Sequence, residues 1–190
     1  MIDGLKSSLQ DGDVLAYFYC DFRNKRSTSA AEVLRSLLSQ FLQQFTRHAI
    51  SPGDLIDALI EERDGGASTI NSVILLARYV SLAAKKFDRQ PFLVIDALDE
   101  CTDTEGLLDA LGKVRKGGIR LFVTSRPLQI IKEKFSGLPS IDMDMMKYEV
   151  SADIELHVKG ELYSHRRLRI VDDSLKNEMR SILCKKSDGM

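Results

Sequence analysis

The chain has 190 residues, 44% of them hydrophobic and 29% charged, which is enough for one well-filled globular domain and too little for two of ordinary size. Its 27 basic and 28 acidic residues nearly cancel, so net charge favours neither nucleic acid nor an anionic membrane as a partner. The three cysteines are scattered and form no C-x-x-C pair, which argues against a disulfide framework or a zinc site and indicates a reducing, cytoplasmic compartment. No signal-peptide layout and no apolar run of membrane-spanning length can be recognised.

The first half of the sequence predicts one strand among several helices. Residues 14–22 are nearly all apolar or aromatic, which is typical of a strand buried on both faces, and residues 2–9 predict a short helix before it. The polar stretch 23–28 is predicted to be a solvated loop, with a loop beside a phosphate site as the alternative. Ser29 and Glu32 match the capping box that begins a helix. Apolar spacing then predicts three helices, over residues 29–45, 51–64 and 69–87.

The second half predicts further strands that alternate with helices. Residues 91–96 and 120–124 are two largely apolar segments of strand type. Residues 141–145 alternate apolar and acidic side chains and predict one more strand. Strands that alternate with helices predict a parallel sheet with helices on both faces. The helices predicted here lie between residues 104 and 117 and over residues 129–135, 151–163 and 174–186.

Acidic side chains and an arginine follow the first two of these strand segments. Asp96, Asp99 and Glu100 come at the end of one segment, and Arg126 follows the next. The carboxyl ends of parallel strands share one edge of a sheet, where open α/β folds place their chemistry. A carboxylate there suits Mg²⁺, a second acid can orient or deprotonate water, and a guanidinium can stabilise phosphoryl charge. The pattern predicts a magnesium–nucleotide site, and an ordinary buried strand with an acidic loop is the simpler alternative.

A phosphate-binding loop of the form G-x-x-x-x-G-K-[ST] does not occur in the sequence. The nearest match runs from Gly106 to Lys113, but its spacing is one residue too long and Val114 follows the lysine. Its interior also has the apolar spacing of an amphipathic helix. The chain therefore contains roughly half of the groups that bind a magnesium nucleotide, and we expect weak or no ATP binding by this polypeptide alone.

Three segments resemble the NACHT-type NTPase domain of signal-transduction ATPases, in the nephrocystin-like N-terminal form found in many fungal repeat proteins. They are Val94–Cys101 (VIDALDEC), Leu121–Pro127 (LFVTSRP) and Ala16–Phe22 (AYFYCDF) ahead of a leucine-rich helix. The resemblance covers residues 2–161 and implies a P-loop NTPase fold, which is a three-layer α/β domain with a parallel sheet. It also implies that the sheet is incomplete, because the phosphate-loop strand between the last two predicted strands is missing.

The resemblance assigns roles to the residues at the strand ends. Asp96 matches the Walker B acid that holds Mg²⁺, Asp99 and Glu100 match the acidic pair of the catalytic step, and Arg126 matches the sensor arginine. The implied cofactors are Mg²⁺ and ATP, bound in a full-length parent protein.

The residues just before the sensor arginine are implied nucleotide contacts. Thr124 and Ser125 take this role together with Asp96. The NTPase core corresponds to residues 1–149, and the beginning of the helical region that follows it corresponds to residues 150–190.

Two functions remain open on this basis. The chain is expected to be a fragment of a nucleotide-driven signalling switch, or a catalytically inactive protein-interaction module derived from such a domain. Protein partners or self-association are expected, and neither nucleic acid nor a membrane. A phosphoacceptor domain that uses Asp96 is a weaker third alternative, because the long helical stretch before the acidic strand does not suit that compact fold.

Overall fold

The computed structural model describes residues 2–23, 29–64 and 72–187, and the described residues form eight α-helices and three β-strands. Short 3-10 helices cover Leu98–Glu100, Met143–Met146 and Arg166–Leu168. The main elements are, in chain order, α1 (Ile2–Ser8), β1 (Leu15–Tyr19), α2 (Ala30–Phe45), α3 (Gly53–Asp64), α4 (Val73–Ala84), β2 (Phe92–Asp96), α5 (Thr104–Lys116), β3 (Arg120–Val123), α6 (Gln129–Lys134), α7 (Lys147–Ser164) and α8 (Asp173–Ser187).

The three strands form a parallel sheet in the order β1-β2-β3. The register pairs Tyr19 with Asp96 and Val94 with Phe122, so the carboxyl ends of the strands meet at one edge. Helices connect the strands, as parallel pairing requires: α2, α3 and α4 lie between β1 and β2, and α5 lies between β2 and β3. The parallel α/β sheet confirms this part of the predicted fold.

The main core lies between one face of the sheet and helices α2, α4 and α5. Buried apolar side chains of these helices pack with Ala16, Leu93 and Ile95, which project from the same face of the strands. The alternation of side chains along a strand puts these three residues on one face, and the helices cover it completely.

The opposite face of the sheet is covered only in part. Leu5 and Leu9, in and just after α1, pack on the buried Leu15 and Val94. Farther from α1, Tyr19 is 52% exposed. The predicted helical layers on both faces are therefore complete on one face and partial on the other within the described residues.

α2 begins where the capping residues predicted. The Ser29 hydroxyl accepts a hydrogen bond from the Glu32 N–H (3.3 Å), which satisfies one of the free donors at the helix start. The Glu32 carboxylate forms an ion pair with Arg35. The helix then buries one broad apolar face against the sheet, which includes Val33 and Phe41.

The predicted strand over residues 141–145 is wrong. A 3-10 helix lies there, and the Met145 N–H donates to the Asp142 carbonyl (3.2 Å) within a local turn. Ile141 is 75% exposed and Met145 is 85% exposed, so the alternating apolar side chains have no face that covers them. Alternation leads to a strand only where a neighbouring strand supplies hydrogen bonds. β3 is therefore an edge of the sheet in the described part of the chain.

The other predicted helices and strands agree with the structure to within a few residues at their ends. The predicted strand 14–22 is shorter in the structure, and α7 begins earlier than predicted. Two predictions lie outside the described residues, namely most of the loop predicted over residues 23–28 and the start of the helix predicted over residues 69–87.

The chain divides into two compact units, residues 1–136 and 137–190. The first unit contains the sheet and the whole main core cluster. The predicted division into residues 1–149 and 150–190 stays a prediction. In the described part of the chain, no helix is both long and apolar enough to cross a membrane.

The second unit is built on a pair of packed helices, α7 and α8. Leu162 of α7 is buried, and Lys176 of α8 is buried with its Nζ 5.0 Å from the centre of the Tyr163 ring of α7. A cation over an aromatic face is attracted by the ring electrons, which helps to hold the two helices together.

Candidate functional site

The predicted acids lie at the carboxyl edge of the sheet, where β2 ends. Asp96 is the last residue of this strand, and a 3-10 turn over residues 98–100 directly follows. Ala97 joins the two with a left-handed backbone (φ 55°, ψ 50°), which turns the chain sharply. Leu98 is fully buried and anchors the turn, while Glu100 stays partly exposed at the edge.

Thr124 fastens Asp96 and this turn to the end of β3. Its hydroxyl donates to Asp96 Oδ1 and accepts from the Ala97 N–H (3.0 Å). The backbone continues the link, because the Thr124 N–H donates to the Ile95 carbonyl (3.0 Å) and the Thr124 carbonyl accepts from the Leu98 N–H (2.9 Å). The structure thus brings Asp96 and Thr124 into direct contact where two strands end side by side.

Asp99 holds the segment that follows β3. Asp99 Oδ1 accepts from the Arg126 N–H (3.0 Å), and Oδ2 lies 3.5 Å from Arg126 Nε. The Asp99 side chain is 8% exposed, whereas that of Arg126 is 77% exposed. A carboxylate removed from water needs donors or an opposite charge, and Arg126 supplies both. Ser125 is exposed, and its hydroxyl donates to the Arg126 carbonyl (2.9 Å) instead of contacting the acids.

Glu100 connects the turn to the segment after β1. Its Oε2 accepts from the Phe22 N–H (3.0 Å). The adjacent Arg23 guanidinium forms an ion pair with Asp21 (2.8 Å), which lowers the pKa of the Asp21 carboxyl and raises the pKa of Arg23. Each predicted acid therefore bonds to a different segment of the edge. Asp96 bonds to Thr124 at the end of β3, Asp99 to Arg126 after β3, and Glu100 to Phe22 after β1.

Two buried cysteines lie close to the acids. Cys20 and Cys101 both belong to the main core cluster, and the Cys20 N–H donates to the Asp96 carbonyl (3.0 Å). Burial raises the pKa of the Cys20 thiol to about 12, and its electrostatic interactions with Cys101 and with the edge carboxylates add to the effect. Burial also raises the pKa of Cys101. The raised pKa values lower the thiolate fraction of both cysteines at neutral pH, which disfavours either of them as a nucleophile.

The carboxylate of Asp96 is the type of oxygen ligand that Mg²⁺ prefers. Asp96 Oδ1 accepts from Thr124, and within the described residues no hydrogen bond reaches Oδ2. Mg²⁺ commonly takes one or two protein carboxylates and completes its shell with water and nucleotide phosphates. Among the side chains that the structure describes, no group of three or more His, Cys, Asp or Glu residues could hold a metal. The edge thus presents one carboxylate oxygen, Asp96 Oδ2, that no hydrogen bond of the described residues uses.

Two depressions in the surface lie away from these acids. The larger, of about 750 Å³, runs along the outer side of β1 between α1 and α2. The smaller, of about 500 Å³, lies at the amino ends of the strands, where Arg89 forms an ion pair with Asp13 (3.2 Å). A hydrogen bond from the Gln10 backbone N–H, together with Arg89, lowers the pKa of Asp13. Neither depression is lined by a residue of the predicted site.

Sequence reasoning missed the Phe22 contact of Glu100. The two residues are 78 positions apart, and a backbone donor has no signature in the residue type. It also missed the polar side chains of α2 that face β1. Gln40 and Gln44, four positions apart on a largely apolar helix, were a signal that could have been recognised.

The sheet is parallel, and acids lie at the end of its middle strand with an arginine beside them. The protein is therefore an α/β domain with its candidate site at the sheet edge. The profile of the family described as Nephrocystin 3, N-terminal matches residues 1–126, which include every predicted site residue. The chain therefore belongs to this family, and the predicted resemblance to the nephrocystin-like form of the NACHT-type domain is confirmed.

A fungal relative supports the same family. The chain is 30% identical over 140 residues to the vegetative incompatibility protein HET-E-1 of Podospora anserina. The match covers 70% of this chain and 10% of that protein, so the chain corresponds to a small part of its curated relative. No solved structure matches the chain.

Proposed function

We propose that this chain supplies the metal-binding and charge-stabilising half of a NACHT-type NTPase switch, and that a longer parent protein supplies the phosphate-binding half. The observation that carries the proposal is the hydrogen-bond network of Thr124, Asp96 and Ala97. It fixes a carboxylate at the carboxyl edge of a parallel sheet, with Arg126 two residues beyond Thr124. Membership in a family related to a fungal NACHT-like protein supports the same function.

Asp96 is the proposed Walker B residue and ligand of Mg²⁺. The Thr124 hydroxyl orients the carboxylate through Oδ1, and Oδ2 accepts no hydrogen bond within the described residues. When bound with ATP, Mg²⁺ would neutralise negative charge on the phosphates. Thr124 and Ser125 are the proposed nucleotide contacts beside it.

Glu100 and Arg126 are the proposed residues of the hydrolytic step, with Asp99 in support. The Glu100 carboxylate is partly exposed and can orient or deprotonate a water molecule at hydrogen-bond range. The Arg126 guanidinium is mostly exposed and can stabilise charge on the transferring phosphoryl group. Asp99 is largely buried against Arg126, so its role is to position that arginine.

The free edge of β3 is the proposed position of the phosphate-loop strand. β3 has β2 as its neighbour on one side, and no strand pairs with its other side within the described residues. Phe122, in the middle of β3, is 51% exposed. A strand added there would pair with free backbone groups and would bring a phosphate loop next to Asp96.

A catalytically inactive interaction module is the second candidate function, and the hydrogen bonds of the acids favour it. Asp96, Asp99 and Glu100 each accept a bond that links two segments of the edge. In this alternative the acids are retained for structure, and the partners are other proteins or further copies of the chain. For both functions we propose a cytoplasmic location and no binding to nucleic acid.

Calorimetry with Mg–ATP separates the two functions. We expect weak or no binding by the 190-residue chain, and clear binding by a form extended upstream through a G-x-x-x-x-G-K-[ST] loop. Micromolar binding by the 190-residue chain itself would show that the loop is not required. If the sequence encoded upstream contains no such loop, the interaction module is the correct function.

A further inference from the structure

The outer edge of β1 is closed by side chains instead of by another strand. The Val14 carbonyl accepts from the Phe92 N–H (2.8 Å) and the Cys20 N–H donates to the Asp96 carbonyl (3.0 Å), so these residues direct their backbone groups toward β2. Because the direction alternates along a strand, Leu15, Tyr17 and Tyr19 direct theirs away from the sheet. The outward groups would be free to pair with another chain if nothing covered them.

Two glutamines of α2 bond to three of these outward groups, which are the Tyr17 N–H, the Tyr17 carbonyl and the Leu15 carbonyl. Gln40 bonds to both sides of Tyr17, since its Oε1 accepts from the Tyr17 N–H (3.0 Å) and its Nε2 donates to the Tyr17 carbonyl (2.8 Å). One turn later along the helix, Gln44 Nε2 donates to the Leu15 carbonyl (2.9 Å). A carboxamide carries the same kind of donor and acceptor as the backbone, so Gln40 supplies the two hydrogen bonds that a neighbouring strand would otherwise give to Tyr17.

The sequence of β1 is of a kind that pairs with copies of itself when its edge is accessible. Residues 14–20 (VLAYFYC) contain no charge, no proline and no glycine, and they are rich in aromatic and apolar residues. Segments of this composition pair readily with copies of themselves when their backbone is accessible. No charged residue within the strand opposes such pairing.

We propose that Gln40 and Gln44 act as a side-chain strand that closes the β1 edge against pairing with the β1 edge of a second copy. The sheet then has one edge blocked by its own helix and one edge, at β3, open to a further strand. The glutamines thereby direct any growth of the sheet to β3.

Replacement of Gln40 by methionine tests the proposal on the complete chain. Methionine has a similar length and helix propensity but offers no amide, so the Tyr17 backbone groups lose both bonds. We expect Gln40→Met to form dimers or larger species as concentration rises in sedimentation velocity, beyond any association of the original chain. The Tyr17 amide should also exchange with solvent about tenfold faster or more.

Gln43→Met is the matched control. Gln43 is exposed on the same helix, and its amide donates to Ser39 Oγ (3.3 Å) and to no atom of β1. This variant should behave like the original chain in both measurements. Equal association of the Gln40 and Gln43 variants would overturn the proposal.

A second change shows whether the association uses the β1 edge. Tyr19 is exposed at the end of β1, and a lysine there should oppose edge pairing by charge repulsion and hydration. We expect Gln40→Met combined with Tyr19→Lys to return to the association state of the original chain, and dimers that persist would contradict the proposal. If Gln40→Met does not fold, hydrogen exchange of the original chain still tests the proposal. The Tyr17 amide must then be protected from exchange, and an unprotected amide refutes the closure.

Discussion

Thr124 is the single residue on which the arrangement of the candidate site depends most. Its hydroxyl both donates to the Asp96 carboxylate and accepts from the Ala97 N–H, so it holds the acid and the turn at the same time. A buried or partly buried hydrogen bond contributes about 0.5–1.5 kcal/mol, and more when one partner is charged. The position of Asp96 therefore depends on a neutral side chain that directly follows β3.

Thr124→Val should destabilise the protein by about 1–3 kcal/mol, because valine keeps the shape of threonine but leaves two polar groups without their partner. Thr124→Ser retains the hydroxyl and should lose less than about 1 kcal/mol. Denaturant unfolding of both variants gives the comparison. Equal stability of the valine and serine variants would mean that the hydroxyl does not hold the site together.

The cysteines near the acids should react slowly. Burial raises the pKa of Cys20 to about 12 and also raises that of Cys101, which lowers the thiolate fraction at neutral pH. Cys184 is less buried than either. In a time course of alkylation with iodoacetamide followed by mass spectrometry, Cys184 should be modified first, and the other two should become reactive only on unfolding. Modification of Cys20 in the folded chain as fast as Cys184 would disprove this.

At the scale of secondary structure, α2 shows how local sequence determines a helix boundary. Ser29 satisfies a free N–H at the first turn, and the apolar face that follows packs into the core. Both signals are local, which is why the sequence predicts this helix well. The same holds for β2, where Pro91 and four apolar residues precede Asp96.

Ser29→Ala should lower the free energy of unfolding by about 1 kcal/mol, since the Glu32 N–H loses its acceptor. Ser39→Ala, at an exposed position in the middle of the same helix, is the control and should change stability little. Thermal or denaturant unfolding measures both. A loss at position 39 as large as that at position 29 would show that the cap contributes nothing specific.

The features that the sequence did not predict depend on residues far apart in the chain. Residues 141–145 have the alternation of a strand, but the pattern contains no information about whether a neighbouring strand is available. The bonds of Gln40 to Tyr17 and of Glu100 to Phe22 connect segments that only the folded chain brings together. The sequence could place the acids and Arg126 at one edge because the carboxyl ends of parallel strands always lie on the same edge of the sheet.

At the scale of the whole molecule, the sheet has two different edges and one candidate site. Glutamines bond to the outer edge of β1, no strand pairs with the outer edge of β3 in the described part of the chain, and the acids lie at the carboxyl end of the strand between them. This arrangement suits a domain that is completed at β3 by a phosphate-binding strand. Asp96 is then the residue whose charge the completed site requires.

The most direct test of this account is ATP hydrolysis by a form extended upstream through a phosphate loop, with and without Asp96→Asn. Asparagine keeps an oxygen that accepts from Thr124 but removes the negative charge. We predict a loss of activity on the order of 100-fold with little change in thermal stability. Asp109→Asn, which alters a carboxylate of α5 paired with Lys134, should retain full activity. Hydrolysis by the Asp96→Asn form at the unaltered rate would contradict the account.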